Sequence, residues 1–153
     1  MDLLNTEAGL NTFMGLFIDE LKSNLTSLGK EATGDLINSL SYTISPSSDG
    51  YSFDIELIAE PYLDYVDKGR RPGKFPPPTA IKNWIEAKGL NVKNIDSAAY
   101  LIGRKIANDG IKPTDVIQIS FDTAWDNYKS VLGEEVIKDF EAMIDDINKK
   151  INK

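Results

Sequence analysis

The N-terminal segment carries large apolar side chains at intervals of three and four residues, which is the spacing of one face of an α-helix. Polar residues occupy the opposite face, and Gly29 follows the last apolar position. The pattern predicts an amphipathic helix over residues 5–29 that lies on an apolar partner. Its apolar stripe consists of Leu10, Phe13, Met14, Phe17, Ile18, Leu21, Leu25 and Leu28.

Between residues 40 and 59 the helical period gives way to alternation of apolar and polar residues. Two alternating runs, residues 40–44 and 51–59, flank a turn segment from Pro46 to Gly50. This arrangement predicts a β-hairpin with one apolar face. An isolated hairpin is only marginally stable in water, so we expect the first helix to cover it, and strands of a neighbouring subunit could extend the sheet.

Three short helices are predicted after the hairpin, each closed by a glycine in the position that favours helix termination. The first covers residues 61–69. The second is expected to begin at Thr79 and the third at Asp96, because both residue types are good N-terminal caps. The first helix is predicted to place three residues on one side, Tyr62, Tyr65 and Val66.

The C-terminal part returns to helical spacing. It predicts one helix that Thr114 caps and that ends near Gly133, followed by a second helix over residues 136–151. The expected fold class is therefore α+β: a long N-terminal helix packed on a small antiparallel sheet built around a hairpin, then several helices. We expect a core domain over residues 1–115 and a helical extension over residues 116–153.

Composition excludes much of common enzyme chemistry. The 153 residues include no cysteine and no histidine, so a Ser-His-Asp triad, a cysteine nucleophile and a Cys/His zinc site are impossible. Carboxylate and Ser-Lys chemistry and oxygen-ligand metals remain, and Asp54 and Glu56 share one face of the second strand. No base, nucleophile and charge stabiliser come together in the sequence. We therefore expect no enzyme activity and no cofactor.

Charge is unevenly distributed along this acidic chain, whose formal net charge is −7. Residues 1–60 hold two basic and ten acidic residues, residues 61–112 hold ten and five, and residues 113–153 hold five and nine. A basic middle with acidic flanks can attract another copy of the same chain or an acidic partner. The apolar stretch nearest the N-terminus is interrupted by Gly15, so we expect no signal peptide and no membrane partner.

The strongest charge feature is a loop over residues 68–78 that holds four cations and is rich in proline and glycine, which we call the basic loop. It is open to three interpretations: a solvated loop, phosphate contact with nucleic acid, or recognition of carboxylates on a partner protein. We favour protein carboxylates, since the acidic N-terminal segment would repel a DNA backbone. Aromatic residues near the cations are typical of interface hot spots. The candidate partner-binding residues are Tyr62, Tyr65, Lys68, Arg70, Arg71, Lys74 and Phe75.

Residues 62–74, which read Tyr-Leu-Asp-Tyr-Val-Asp-Lys-Gly-Arg-Arg-Pro-Gly-Lys, resemble the small neck or tail-component proteins of tailed bacteriophages. The resemblance continues through the three prolines at 76–78 and the stretch from Ala99 to Ile106, and it covers most of residues 5–115. The Pro-rich insert and the helical extension after residue 113 depart from the compact members of that family.

The resemblance implies a structural protein of the virion without enzyme activity. Its copies would contact each other and form a ring at the neck, as a head-to-tail connector or tail-completion protein. The ring would also contact portal or adaptor and tail proteins. Non-specific contact with packaged DNA stays open as an alternative for the same cations. The implied location is the neck or tail region of the virion, with the host cytoplasm as the place of assembly.

A second function class is a small DNA-binding regulator. The two helices predicted between residues 79 and 110, joined by a short turn, have the outline of a helix-turn-helix. Its recognition helix would offer Arg104, Lys105 and Asn108, which is a small set for an acidic protein.

Overall fold

The structure is a computed structural model that describes residues 3–29 and 34–151. These residues confirm the predicted α+β class, with a long N-terminal helix, a two-stranded antiparallel sheet and further helices that include a long C-terminal one. The elements are α1 (Leu4–Ser27), α2 (Asp35–Ser39), β1 (Ser41–Pro46), β2 (Phe53–Ile58), α3 (Tyr62–Lys68), α4 (Pro78–Ala87), α5 (Ile95–Asp109) and α6 (Val116–Ile151).

The chain divides into two compact units, and neither is continuous in sequence. Unit 1 comprises Met1–Leu21, Ser41–Ile58 and Gln118–Lys153, and unit 2 comprises Lys22–Leu40 and Ala59–Ile117. The hairpin therefore belongs with parts of the two long helices, whereas the basic loop belongs with the short helices. The separate domains expected over residues 1–115 and 116–153 stay a prediction.

In unit 1 the helices α1 and α6 run antiparallel and meet through aromatic side chains. The Phe13 ring lies edge-on to Phe121 and Trp125, with centroids 5.4 and 5.9 Å away, and Phe17 contacts Phe121 in the same manner at 5.8 Å. Edge-to-face pairs of this kind are favourable beyond the apolar area that they bury. Most of the stripe that predicted α1 packs, and Phe13 and Phe17 are buried. Leu28 is the exception, since it follows the last residue of α1 and is 47% exposed.

The hairpin has the predicted alternation. In the register of β1 and β2, Tyr42 lies opposite Leu57 and Ile44 opposite Ile55, so the apolar residues share one face. The Tyr42 hydroxyl donates a hydrogen bond of 3.0 Å to the Asn11 carbonyl of α1. None of the residues of the two strands is fully buried.

In unit 2, α4 and α5 pack around Ile81, Ile85 and Ala99. Both predicted N-terminal caps are wrong. Helix α4 begins at Pro78 rather than after Thr79, because proline at the first helical position has a suitable φ and lacks the N–H that would be unpaired there. At the start of α5 the Asn94 side chain accepts the Ser97 N–H at 2.9 Å.

Asp96 instead lies in the first turn of α5, where a carboxylate complements the helix dipole, and it pairs with Lys82 of α4. The side of α3 that was predicted to carry Tyr62, Tyr65 and Val66 is only partly buried. Leu63 and Val66 are the buried residues of α3, whereas Tyr62 is half-buried and Tyr65 is exposed.

The two helices expected in the C-terminal part are one helix of 36 residues, so the predicted break at Gly133 is wrong. A single glycine lowers helix stability by about 1 kcal/mol relative to alanine, which packing of the flanking residues can outweigh. Thr114 does not cap this helix, since its hydroxyl donates to the Val66 carbonyl at 2.7 Å. The cap comes from α3, where the Asp67 carboxylate accepts the Ile117 N–H at 2.9 Å.

None of the helices in the described ranges combines the length and the apolar character needed to cross a bilayer.

Candidate partner-binding surface

The basic loop begins with Lys68, the last residue of α3, and continues at Gly69, a position that requires glycine. Gly69 has φ of 68° and ψ of −165°, a backbone conformation that residues with a Cβ rarely adopt. A Cβ at this position would also run into the Ile111 carbonyl oxygen and lie 2.6 Å from the Pro113 nitrogen. The close approach of these two backbone segments fixes the direction in which the loop leaves α3.

Backbone hydrogen bonds then hold the loop against the C-terminal end of α5. Arg70 and Ile111 form an antiparallel bridge in which each N–H donates to the other carbonyl at 2.8 Å. Further along, the Gly73 N–H donates to the Ala107 carbonyl at 2.7 Å. The loop is therefore anchored at two separate points, which its proline and glycine content alone did not indicate.

The four cations of the loop have different environments. Lys68 pairs with Asp64 one turn earlier in α3 at 3.0 Å, and this hydrogen bond and the charge of Asp64 raise the pKa of the lysine. The Arg70 guanidinium donates to the Lys74 carbonyl at 3.2 Å and so folds onto the loop itself. In the described ranges, the other two cations of the loop, Arg71 and Lys74, are exposed and without an ion pair.

Phe75 packs on the fold although it lies in an irregular loop. Its ring stacks on Tyr100 of α5 with centroids 5.7 Å apart and planes inclined by 29°. It covers Gly103, where a Cβ would overlap the phenylalanine ring. The next residue, Pro76, is buried. Phe75 is thus seated on α5 while 42% of it stays exposed to solvent.

The structure adds residues of α5 that were not among the predicted partner-binding residues, although Arg104 was a candidate of the helix-turn-helix alternative. Tyr100, Leu101 and Arg104 are exposed, and positions three and four residues apart on a helix are neighbours. We call the set formed by Lys74, Phe75, Tyr100, Leu101 and Arg104 the basic-aromatic surface. Gly103 was the available signal, because a glycine inside a helical pattern often marks a close approach by another segment.

Five predicted residues are not part of the basic-aromatic surface: Tyr62, Tyr65, Lys68, Arg70 and Arg71. Tyr65 is exposed on α3, one turn before Lys68, and Tyr62 is half-buried on the same helix. The structure brings together Arg70, Lys74 and Phe75 of the predicted residues, and it joins them to α5.

The acidic pair on the hairpin does not form part of a larger site. Asp54 accepts a hydrogen bond of 2.8 Å from the Ser47 hydroxyl in the adjoining turn. In the part of the chain that the structure describes, no group of three or more acidic side chains is placed to hold a metal ion.

Searches for similar proteins gave no match among protein families, curated proteins or solved structures.

Proposed function

We propose that this protein is a non-enzymatic structural component of a tailed-phage virion, whose copies form a ring at the neck. The observation that carries the proposal is the anchored basic loop, which presents Arg71, Lys74 and the exposed part of Phe75 on a fixed backbone. A loop that is already ordered loses little conformational entropy when a partner binds. Arginine and aromatic residues are also the types that contribute most to protein interfaces.

The charge distribution supports contact between copies. The segment of residues 61–112, which contains the basic-aromatic surface, has five more basic than acidic residues, and the segment of residues 1–60 has an excess of eight acidic ones. The basic part of one copy can therefore meet an acidic part of the next. A head-to-tail contact of this kind closes into a ring when the rotation between neighbours allows it.

The hairpin offers a second contact. In the described chain β1 and β2 pair only with each other, so each has one edge without a strand partner. Its apolar face is covered only in part, with 41% of Ile55 exposed. Strand addition by a neighbouring copy, portal or tail protein would pair such an edge and bury that face.

The alternative, a helix-turn-helix regulator, has less support. The helices α4 and α5 are present, but a recognition helix uses its N-terminal residues to read bases. The first turn of α5 instead carries Asp96, which pairs with Lys82. A negative charge at that position would repel phosphate.

A search of the neighbouring genes for portal and tail proteins, followed by co-expression of those proteins with this chain, tests the proposal. A tagged portal should retain the wild-type chain through purification, and electron microscopy should show a ring on the portal. Arg71→Glu combined with Lys74→Glu should abolish this retention, whereas circular dichroism should show an unchanged fold, because both side chains are exposed.

The matched control is Lys93→Glu combined with Lys149→Glu, which changes the net charge equally at exposed positions outside the loop that have no ion pair in the described ranges. Retention of the control and loss of the loop variant would support the proposal. Equal retention of both, or a gene neighbourhood without portal, capsid or tail genes, would overturn it.

A further inference from the structure

The C-terminal part of α6 has a second apolar stripe, separate from the face that packs on α1. Its residues follow each other at intervals of three, four, three and four, which is the heptad spacing of a coiled-coil seam. Isoleucine occupies four of the five positions. The seam consists of Ile137, Phe140, Ile144, Ile147 and Ile151.

This seam is open to solvent in the single chain. Each of its five side chains is between 43% and 74% exposed. Helix α1 packs on a neighbouring face, which carries Leu132 and Asp139, and α1 itself begins at Leu4 beside Asp139. From Asp139 to Ile151 the helix α6 continues for about 18 Å beyond that point.

We propose that this seam binds the same seam of further copies of this chain, as a short coiled coil. A knobs-into-holes contact requires a partner helix with the same spacing, and every copy of the chain supplies one. Isoleucine at both core positions of the heptad favours bundles of three or four helices over pairs. The proposal does not depend on the proposed virion function.

The charges of the segment permit this association. Residues 137–151 hold three lysines and four carboxylates, so the segment is nearly neutral although the whole chain carries −7. The positions that flank the seam hold Glu141 and Lys150, which places no row of like charges along the contact. Copies of the acidic chain can therefore approach each other here with little repulsion.

The size of the seam sets the strength of the association. It spans two heptads, and a pair of such helices buries roughly the 1,000 Å² that marks the lower limit of a specific interface. Bundles of three or four copies bury more. The isolated protein should therefore associate in a concentration-dependent manner rather than as a permanent oligomer.

Sedimentation equilibrium of the full chain, from low micromolar to submillimolar concentration, tests the proposal. The mass of the wild type should rise above that of the monomer. Ile144→Gln combined with Ile147→Gln should remain monomeric over the same range, with unchanged helix content by circular dichroism. The control, Asp145→Gln combined with Lys149→Gln on the polar face, should associate like the wild type.

Cross-linking locates the contact, because the chain has no cysteine of its own. Under oxidation Ile144→Cys should form disulfide-linked dimers and Lys149→Cys should not. A wild type that stays monomeric throughout would overturn the proposal. Association that survives loss of the seam side chains, or equal cross-linking at both positions, would overturn it as well.

Discussion

The Asp139 carboxylate accepts the backbone N–H of Thr6 at 2.7 Å, although the two residues lie 133 positions apart in the chain. It also accepts the Asn5 backbone N–H at 3.2 Å and the Asn5 side-chain amide at 2.7 Å. Asn5 and Thr6 lie in the first turn of α1, where backbone N–H groups have no partner within the helix. Asp139 of α6 therefore caps α1, and it joins the two long helices of unit 1.

This capping makes the stability of unit 1 depend on pH. Burial alone would raise the pKa of Asp139, but the hydrogen bonds from Thr6 and Asn5 outweigh it and hold the pKa below its usual value. The stabilisation is therefore present above the pKa of the unfolded chain, about 3.9, and is lost as the pH falls through the lower folded pKa. Asp139→Asn should cost about 1 kcal/mol at neutral pH, as loss of a cap does.

Urea unfolding of wild type and Asp139→Asn as a function of pH measures this difference, which should shrink as the pH falls below 4 or so. Asp145→Asn is the control, because Asp145 is an exposed carboxylate on the same helix and has no ion pair in the described ranges. Its substitution should have a smaller effect. A difference for Asp139→Asn that is constant down to the acid transition would contradict the capping role.

A second cap joins α3 to the start of α6. The Asp67 side chain accepts the Ile117 N–H, and its backbone carbonyl accepts the N–H groups of Thr114 and Asp115 at 3.0 and 3.1 Å. Asp67→Ala should therefore lower the free energy of unfolding by about 1 kcal/mol, measured by chemical denaturation. Asp64→Ala, which removes only the exposed pair with Lys68, should leave it unchanged within error. Equal losses for both variants would contradict this assignment.

Local patterns in the sequence were sufficient for much of the fold. Three patterns are visible within short stretches of the chain: the apolar stripe of α1, the alternation of the hairpin and the glycine at the end of α5. The caps by Asp67 and Asp139 could not be predicted in this way, since donor and acceptor are 50 and 133 residues apart. The stacking of Phe75 on Tyr100 of α5 is also a contact between segments that are distant in sequence.

The prediction of a helix break at Gly133 failed for a related reason. A glycine lowers the helix propensity of its own position, but the packing of α6 on α1 decides whether the helix continues. Propensity is a weak signal wherever tertiary packing acts on the flanking residues. For the candidate surface, the sequence marks the cations as candidates, and their binding role stays a prediction, while their separation into paired and unpaired groups required the fold.

Two glycines in the helices of unit 1 predict opposite effects of the same substitution. A Cβ at Gly9 would lie 2.9 Å from Cδ1 of Leu132 and 3.3 Å from Cβ of Glu135, so Gly9→Ala should displace the buried Leu132 side chain and destabilise the protein. A Cβ at Gly133 has open space, so Gly133→Ala should raise the free energy of unfolding by about 0.5–1 kcal/mol through helix propensity alone. Thermal unfolding of the two variants gives the signs directly. Stabilisation by Gly9→Ala would contradict the close approach of the helices.

Gly103 leaves room for the basic loop to pack on α5. Its missing Cβ leaves the space that the Phe75 ring fills, and the ring sits between the loop and Tyr100 of α5. Gly103→Ala should therefore displace Phe75 and loosen the loop, although alanine favours the helix itself. The hydrogen bond from Gly73 to Ala107 reports this loosening, because its N–H exchanges slowly only while the loop stays on α5.

Hydrogen exchange measured by mass spectrometry should show faster exchange across residues 70–76 in Gly103→Ala and no change there in Gly133→Ala. If the proposed function is right, Gly103→Ala should also bind less portal in the co-expression experiment, since Arg71 and Lys74 would lose their fixed positions. Unchanged exchange in the loop of Gly103→Ala would show that the backbone hydrogen bonds of Arg70 and Gly73 hold the loop on α5 without the stacking of Phe75. The rigidity of the surface would then come from the hydrogen bonds to Ile111 and Ala107.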